Sequence, residues 1–156
     1  MNQKTAAKGV ARKSAKAPSR KTGGVKVKAR AGKPSAAKPG FGQVFTALRR
    51  LFTPYEDRMA VKTPTPQYVY LESHEPTNKG RPMFFAAVRS GKRYVSYHLM
   101  PVYGCPELLA GASPDLMKRM QGKACFNFTT VDERLFGELA RITRAGYDKF
   151  KSLKYL

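Results

Sequence analysis

Two histidines, His74 and His98, and two cysteines, Cys105 and Cys125, are the first side chains to weigh as base, nucleophile or soft metal ligand. A Cys–His nucleophile needs thiol and imidazole to meet in space, with a third group orienting the base. Nothing in the spacing of these four residues sets up such a pair. The chain has no CxxC or HxxxH cluster of the kind that holds zinc. It also lacks the GxxxxGK[ST] and GxGxxG loops that cradle phosphates. The expectation is a protein that is not an enzyme and carries no metal or cofactor. Two cysteines do not make a disulfide framework in a chain of 156 residues, so both read as free thiols.

One of the histidines lies in an alternating run. In Tyr94-Val95-Ser96-Tyr97-His98-Leu99-Met100, a strand would put Tyr94, Ser96, His98 and Met100 on one face and Val95, Tyr97 and Leu99 on the other. With Tyr103 and Cys105 following, the residues Tyr94, Ser96, His98, Tyr103 and Cys105 form a candidate ligand pocket. The plainer reading is a half-buried sheet face whose histidine is satisfied by a hydrogen bond.

A different chemistry is written in the first forty residues. They hold nine lysines, three arginines and no aspartate or glutamate, a charge of +12 with nothing inside the segment to offset it. The remaining 116 residues carry 18 basic and 10 acidic side chains, a net +8. A polycation of this density calls for a polyanion, and the commonest large ones in a cell are DNA and RNA. The phosphate-binding candidates are Lys4, Lys8, Arg12, Lys13, Lys16, Arg20, Lys21, Lys26, Lys28, Arg30, Lys33 and Lys38. Their spacers are Ala, Gly, Ser and Pro, and the segment contains no aromatic residue. So little apolar surface cannot offset the entropy of ordering, and residues 1–40 are expected to be a disordered arm. The composition resembles the low-complexity tails of histones and bacterial histone-like proteins, as in Ala11-Arg12-Lys13-Ser14 and Thr22-Gly23-Gly24-Val25-Lys26.

From Phe41 onward the composition changes; all nine Phe and all eight Tyr lie there, enough for one core over residues 41–156. Phe41 to Phe52 reads as a helix with Val44, Leu48, Leu51 and Phe52 on one face, stopped by Thr53-Pro54. Thr63-Pro64-Thr65-Pro66 reads as an extended or turning connector, and Gln67 to Ser73 as a strand. Met83 to Arg89 and Arg93 to Met100, joined through Ser90-Gly91-Lys92, make a β-hairpin closed by Pro101. Ser113-Pro114-Asp115 opens a short helix ending near Gly122. Ala124 to Phe128 is a further strand. Thr130 to Glu133 has the form of a capping box for the longest helix, which runs to about Ser152. On that helix Leu135, Leu139, Ile142, Gly146, Phe150 and Leu153 face inward, Gly146 allowing close packing. Arg134, Arg141 and Arg144 share a side that could meet phosphates or simply face water. The order predicts an α+β domain: a small antiparallel sheet with flanking helices and a long C-terminal helix, preceded by the basic tail.

The stretch from Gly80 to Ala145 carries a family resemblance. Lys92 lies between the hairpin strands, Pro101 ends the apolar strand, Gly122-Lys123 precedes a Phe-ended strand at Phe128, and a helix closes from Val131. In this order the motifs resemble the YdhG-like family of domains of unknown function. Some relatives are labelled iron chaperones by likeness of shape to frataxin. That resemblance implies the fold. It implies no iron site here, because a frataxin-like site needs an acidic ridge and the ten acids of this chain are scattered. A tryptophan common in the family is absent.

No apolar run approaches the ~20 residues of a membrane-spanning helix, and the basic N-terminus lacks the apolar stretch of a secretory signal. The expected location is cytoplasmic, bacterial or other, with nucleoid association if the partner is DNA. The expected function is non-enzymatic, sequence-nonspecific binding of DNA or RNA through the arm, without membrane contact. The alternative is a small-ligand or metal-carrying module with the arm as a tether.

Overall fold

The computed structural model describes residues 40–77 and 80–156. The arm's twelve cations, its expected disorder, and Asn78 and Lys79 lie outside the described residues.

The apolar periodicity after Gly40 produces helix α1 (Phe41–Arg50), which buries Phe41, Val44, Phe45 and Leu48. A 3-10 turn at Thr53–Tyr55 follows. Six strands then form one antiparallel sheet: β1 (Ala60–Thr65), β2 (Tyr68–Pro76), β3 (Pro82–Ser90), β4 (Val95–Leu99), β5 (Met120–Gln121) and β6 (Cys125–Phe128). Their order across the sheet is β1-β2-β3-β4-β6-β5. Between β4 and β5 come α2 (Met100–Gly104), a 3-10 turn at Pro106–Leu109, and α3 (Pro114–Arg119); α4 (Glu133–Ser152) closes the chain. The architecture is the α+β class read from the sequence.

The helices gather on one face. Phe52 stacks at a tilt on Tyr97, with centroids 5.6 Å apart, and Phe136 of α4 meets Phe128 of β6 edge-on at 4.9 Å. The Tyr97 side chain is wholly buried and bonded to Thr143 of α4 at 2.8 Å. Thr143 Oγ1 in turn donates to the Leu139 carbonyl at 2.7 Å, so the Tyr97 hydroxyl is the donor to Thr143. Burial pushes the Tyr97 phenol far above its ordinary value and keeps it neutral.

Four expectations need correction. The Thr63-to-Pro66 connector is largely strand: β1 runs to Thr65 and pairs with β2. This is tolerable because β1 is an edge strand, where a missing proline N–H breaks no ladder. Pro101 does not simply close β4; it occupies the first turn of α2, where its fixed φ suits a helix start. Met100 therefore leaves the face it was expected to share with His98. The long helix is capped by Asp132, whose Oδ1 accepts the Leu135 N–H at 3.1 Å, and not by a Thr130 capping box. Leu153, expected inside, is 44 % exposed. The Ser113 cap of α3 is present as read: its hydroxyl accepts the Leu116 N–H at 3.2 Å. The Ser113 N–H also donates to Glu138 Oε2 of α4 at 3.0 Å, a bond that holds this carboxyl below its usual range.

Gly146 is a point of closest approach. A Cβ there would lie 2.8 Å from the Pro101 Cβ and 3.0 Å from its Cγ. A proline ring cannot swing aside. Alanine's helix preference over glycine is about 1 kcal/mol, whereas overpacking costs about 1–3 kcal/mol. Gly146→Ala is therefore expected to lower the melting temperature despite the better helix former, and Gly146→Val to lower it further. An alanine variant melting above wild type would show that α2 and α4 are not in close register.

Candidate functional site

The face opposite the helices carries the polar and aromatic side chains. Pairing partners in an antiparallel sheet share a face, so the strand register lays its residues out in rows. One row crosses all six strands: Lys62, Tyr70, Ala87, His98, Cys125, Gln121. The neighbouring row reads Thr65, Tyr68, Arg89, Ser96, Asn127. Alternation builds this face in β4, where Val95, Tyr97 and Leu99 are buried and Ser96 and His98 are half-buried.

The two halves of the face differ. Over β2, β3 and β4 lies a chain of rings: Tyr68 to Tyr70 at 5.7 Å, Tyr70 to Phe84 at 5.9 Å, Phe84 to His98 at 5.4 Å. Over β4, β5 and β6 lies an amide and hydroxyl network. Ser96 Oγ donates to Asn127 Oδ1 at 2.6 Å, Asn127 Nδ2 donates to Gln121 Oε1 at 2.8 Å, and the Tyr94 hydroxyl donates to the same oxygen at 3.3 Å. Neither row contains an acid. Glu72, opposite Phe84 on the same face, is paired with Lys62 at 3.3 Å. Arg89 between Tyr68 and Ser96, and Lys92 and Arg93 in the hairpin turn beyond, are exposed and have no ion pair among the described residues.

His98 and Cys125 meet where the rings give way to the amides. His98 Nδ1 and Cys125 Sγ share a hydrogen bond of 2.9 Å. Burial lowers the His98 pKa and raises that of the Cys125 thiol. Both shifts favour the neutral pair, whereas a reactive cysteine needs a thiolate beside an imidazolium. Among the described residues no three of His, Cys, Asp and Glu converge as metal ligands. The pair is a cross-strand contact that sequence spacing could not reveal, since the register bringing Cys125 opposite His98 is a property of the folded sheet.

The sequence-derived pocket divides in two. Tyr94, Ser96 and His98 belong to the open face. Tyr103 and Cys105 do not join them, because α2 turns the chain away after Leu99. They line a separate apolar cavity of about 240 Å³ with Met83, Met100, Phe150 and Tyr155. Both cysteines are free. His74, at the far end of β2, is exposed and meets neither. On α4, Arg134 is held by Asp115 at 2.8 Å and Glu138 at 3.3 Å, while Arg141 and Arg144 are exposed without an ion pair among the described residues.

A neutral His98 has a consequence for stability. Its folded-state pKa lies below the ordinary value of about 6.5. Between those two values the unfolded chain binds more protons than the folded one, so stability rises with pH there. The contribution is complete above pH ~6.5 and is lost as pH falls through the folded pKa. Urea unfolding between pH 7 and pH 5 should show this decline, and His98→Gln should remove part of it. A ring-proton titration of His98 with its midpoint at or above 6.5 would contradict the reading.

No protein-family model, curated protein or solved structure matches the chain. The chain is an α+β domain with helices on one side of an antiparallel sheet and aromatic and basic side chains on the other. No described helix is long and apolar enough to cross a membrane.

Proposed function

We propose that the protein binds nucleic acid without sequence specificity, its arm neutralising backbone phosphates. The observation that carries the reading is the +12 charge of residues 1–40, with no acid among them. Cations that seat on phosphates release condensed counterions, which supplies affinity without reading bases. The folded domain supports the reading by its own balance, a net +8, with Arg141 and Arg144 exposed on α4 and without an ion pair among the described residues. The role needs no catalytic group. Cytoplasmic or nucleoid-associated location follows from such a partner. The test is binding of the full chain to duplexes of unrelated sequence over a salt series. Equal affinities that fall steeply with salt support the reading; absence of binding at low salt removes it.

A further inference from the structure

We propose that the open sheet face is a second nucleic-acid site, one that takes single strands by stacking unpaired bases on Tyr68, Tyr70, Phe84 and His98. The proposal deepens the nucleic-acid reading by naming the strandedness of the ligand and a surface distinct from the arm.

Three features of the face select this occupant. The first is the run of rings, each 5.4–5.9 Å from the next, on three adjacent strands. Every base has a π-face, so a series of aromatic side chains on a sheet holds successive bases with little regard to sequence. In a duplex those base faces are covered by neighbouring pairs, so the rings add nothing to duplex binding. The second is charge. Arg89 stands in the row with Tyr68, Lys92 and Arg93 follow in the turn, and the carboxylate beside the rings, Glu72 opposite Phe84, is paired with Lys62. Phosphates of a strand laid over the rings would meet these cations, and the Arg89 guanidinium can itself stack on a base. The third is the set of hydrogen-bonding groups beside the rings. Ser96, Asn127 and Gln121 place amides and a hydroxyl, linked to one another, on the same face beside the rings. A neutral His98 contributes a flat ring without adding charge repulsion between itself and Arg89.

Charge also argues against the main rival for an open sheet face, a second copy of the chain. Face-to-face pairing would bring two Arg89 rows together in a protein of net charge +20. Like charges set opposite each other across an interface disfavour it.

The experiment uses the full chain with a fluorescein-labelled oligothymidine and with a duplex of the same length. Salt is raised until duplex binding by the arm is lost. The single strand is expected to remain bound there, because stacking is less salt-dependent than phosphate pairing. Tyr70→Ala and Phe84→Ala should each weaken single-strand binding by roughly 10-fold and leave duplex binding at low salt unchanged. Arg89→Gln should weaken single-strand binding and reduce its salt slope by about 0.7. Because Tyr70 and Phe84 are half-buried, wild-type protein supplies a readout free of folding effects. Photocrosslinking to a bromodeoxyuridine-substituted strand should attach the strand to peptides containing Tyr68, Tyr70, Phe84 or His98. Crosslinks confined to residues 1–40, or release of both ligands at the same salt, would overturn the proposal. So would a protein dimer dispersed by Arg89→Glu, which would give the face to a second copy. The two readings fail separately. Arm substitutions that leave duplex binding unchanged would sink the arm reading, while sheet-face crosslinks would still stand for this one.

Discussion

Alanine at Lys13, Lys16, Arg20 and Lys21 together is expected to flatten the salt dependence of duplex binding by about a third, on any sequence tested. Residues 1–40 offer twelve cations. An arm with little apolar surface will not seat them all at once; engaging about half gives a slope near −5 in log affinity against log salt. Removing four of the twelve in proportion brings the slope to about −3.5. From 50 to 200 mM salt, the wild-type affinity would then fall about 1,000-fold and that of the variant roughly 100-fold. The effect is large because each released counterion multiplies, and it is blind to sequence because no base edge is touched. A slope that ignores the four substitutions would move the phosphate contacts onto the folded domain. Arg141 and Arg144 would then be the first suspects, since Arg134 is engaged by Asp115 and Glu138.

The parts of the fold legible in the sequence are those with a strong local period. The hairpin of β3 and β4, the buried face of α1 and the reach of α4 all follow from apolar spacing and from turn residues. The parts that escaped depend on local signals with two meanings. A proline after a strand can end it or begin a helix, and at Pro101 it begins α2. That turn of helix separates Tyr103 and Cys105 from His98 and undoes the pocket that their nearness in sequence suggested. Asp132 and Thr130 are both competent helix caps, and the first turn of α4 uses the nearer one. The two-residue β5 is too short to carry a pattern. The open face itself was half visible, through Tyr94, Ser96 and His98. Its other half was not, because Tyr68, Tyr70, Phe84, Arg89, Cys125 and Asn127 join it only through cross-strand register, and register is fixed by pairing that no single segment encodes.

Neighbouring phenylalanines, Phe84 and Phe85, show how far register can separate residues, and they are expected to give opposite results on substitution. Strict alternation in MFFAAVR would put Phe85 and Ala86 on different faces. A bulge between the β2 partners Leu71 and Glu72 changes this: Leu71 pairs with Ala86 and Glu72 with Phe84, leaving Phe85 without an opposite number. Phe85 and Ala86 are consequently both fully buried, while Phe84 stays half-buried on the open side. Phe85 packs against Tyr55, Tyr147 and Phe150, with centroids 5.8, 5.9 and 6.2 Å away. Phe85→Ala would empty the space these three rings enclose, at a cost of about 3–5 kcal/mol. Against a total stability of about 5–15 kcal/mol for a small domain, that is enough to unfold much of the protein at 37 °C. Phe84→Ala removes a ring that is part in water and leaves no closed cavity, so about 1 kcal/mol is expected. Urea titrations should show a large drop in midpoint for the first variant and a small one for the second, with slopes unchanged if both unfold in two states. Equal losses at the two positions would mean that Phe84 is enclosed as Phe85 is. The sheet face would then not be open, and the stacking surface built on it would go with it.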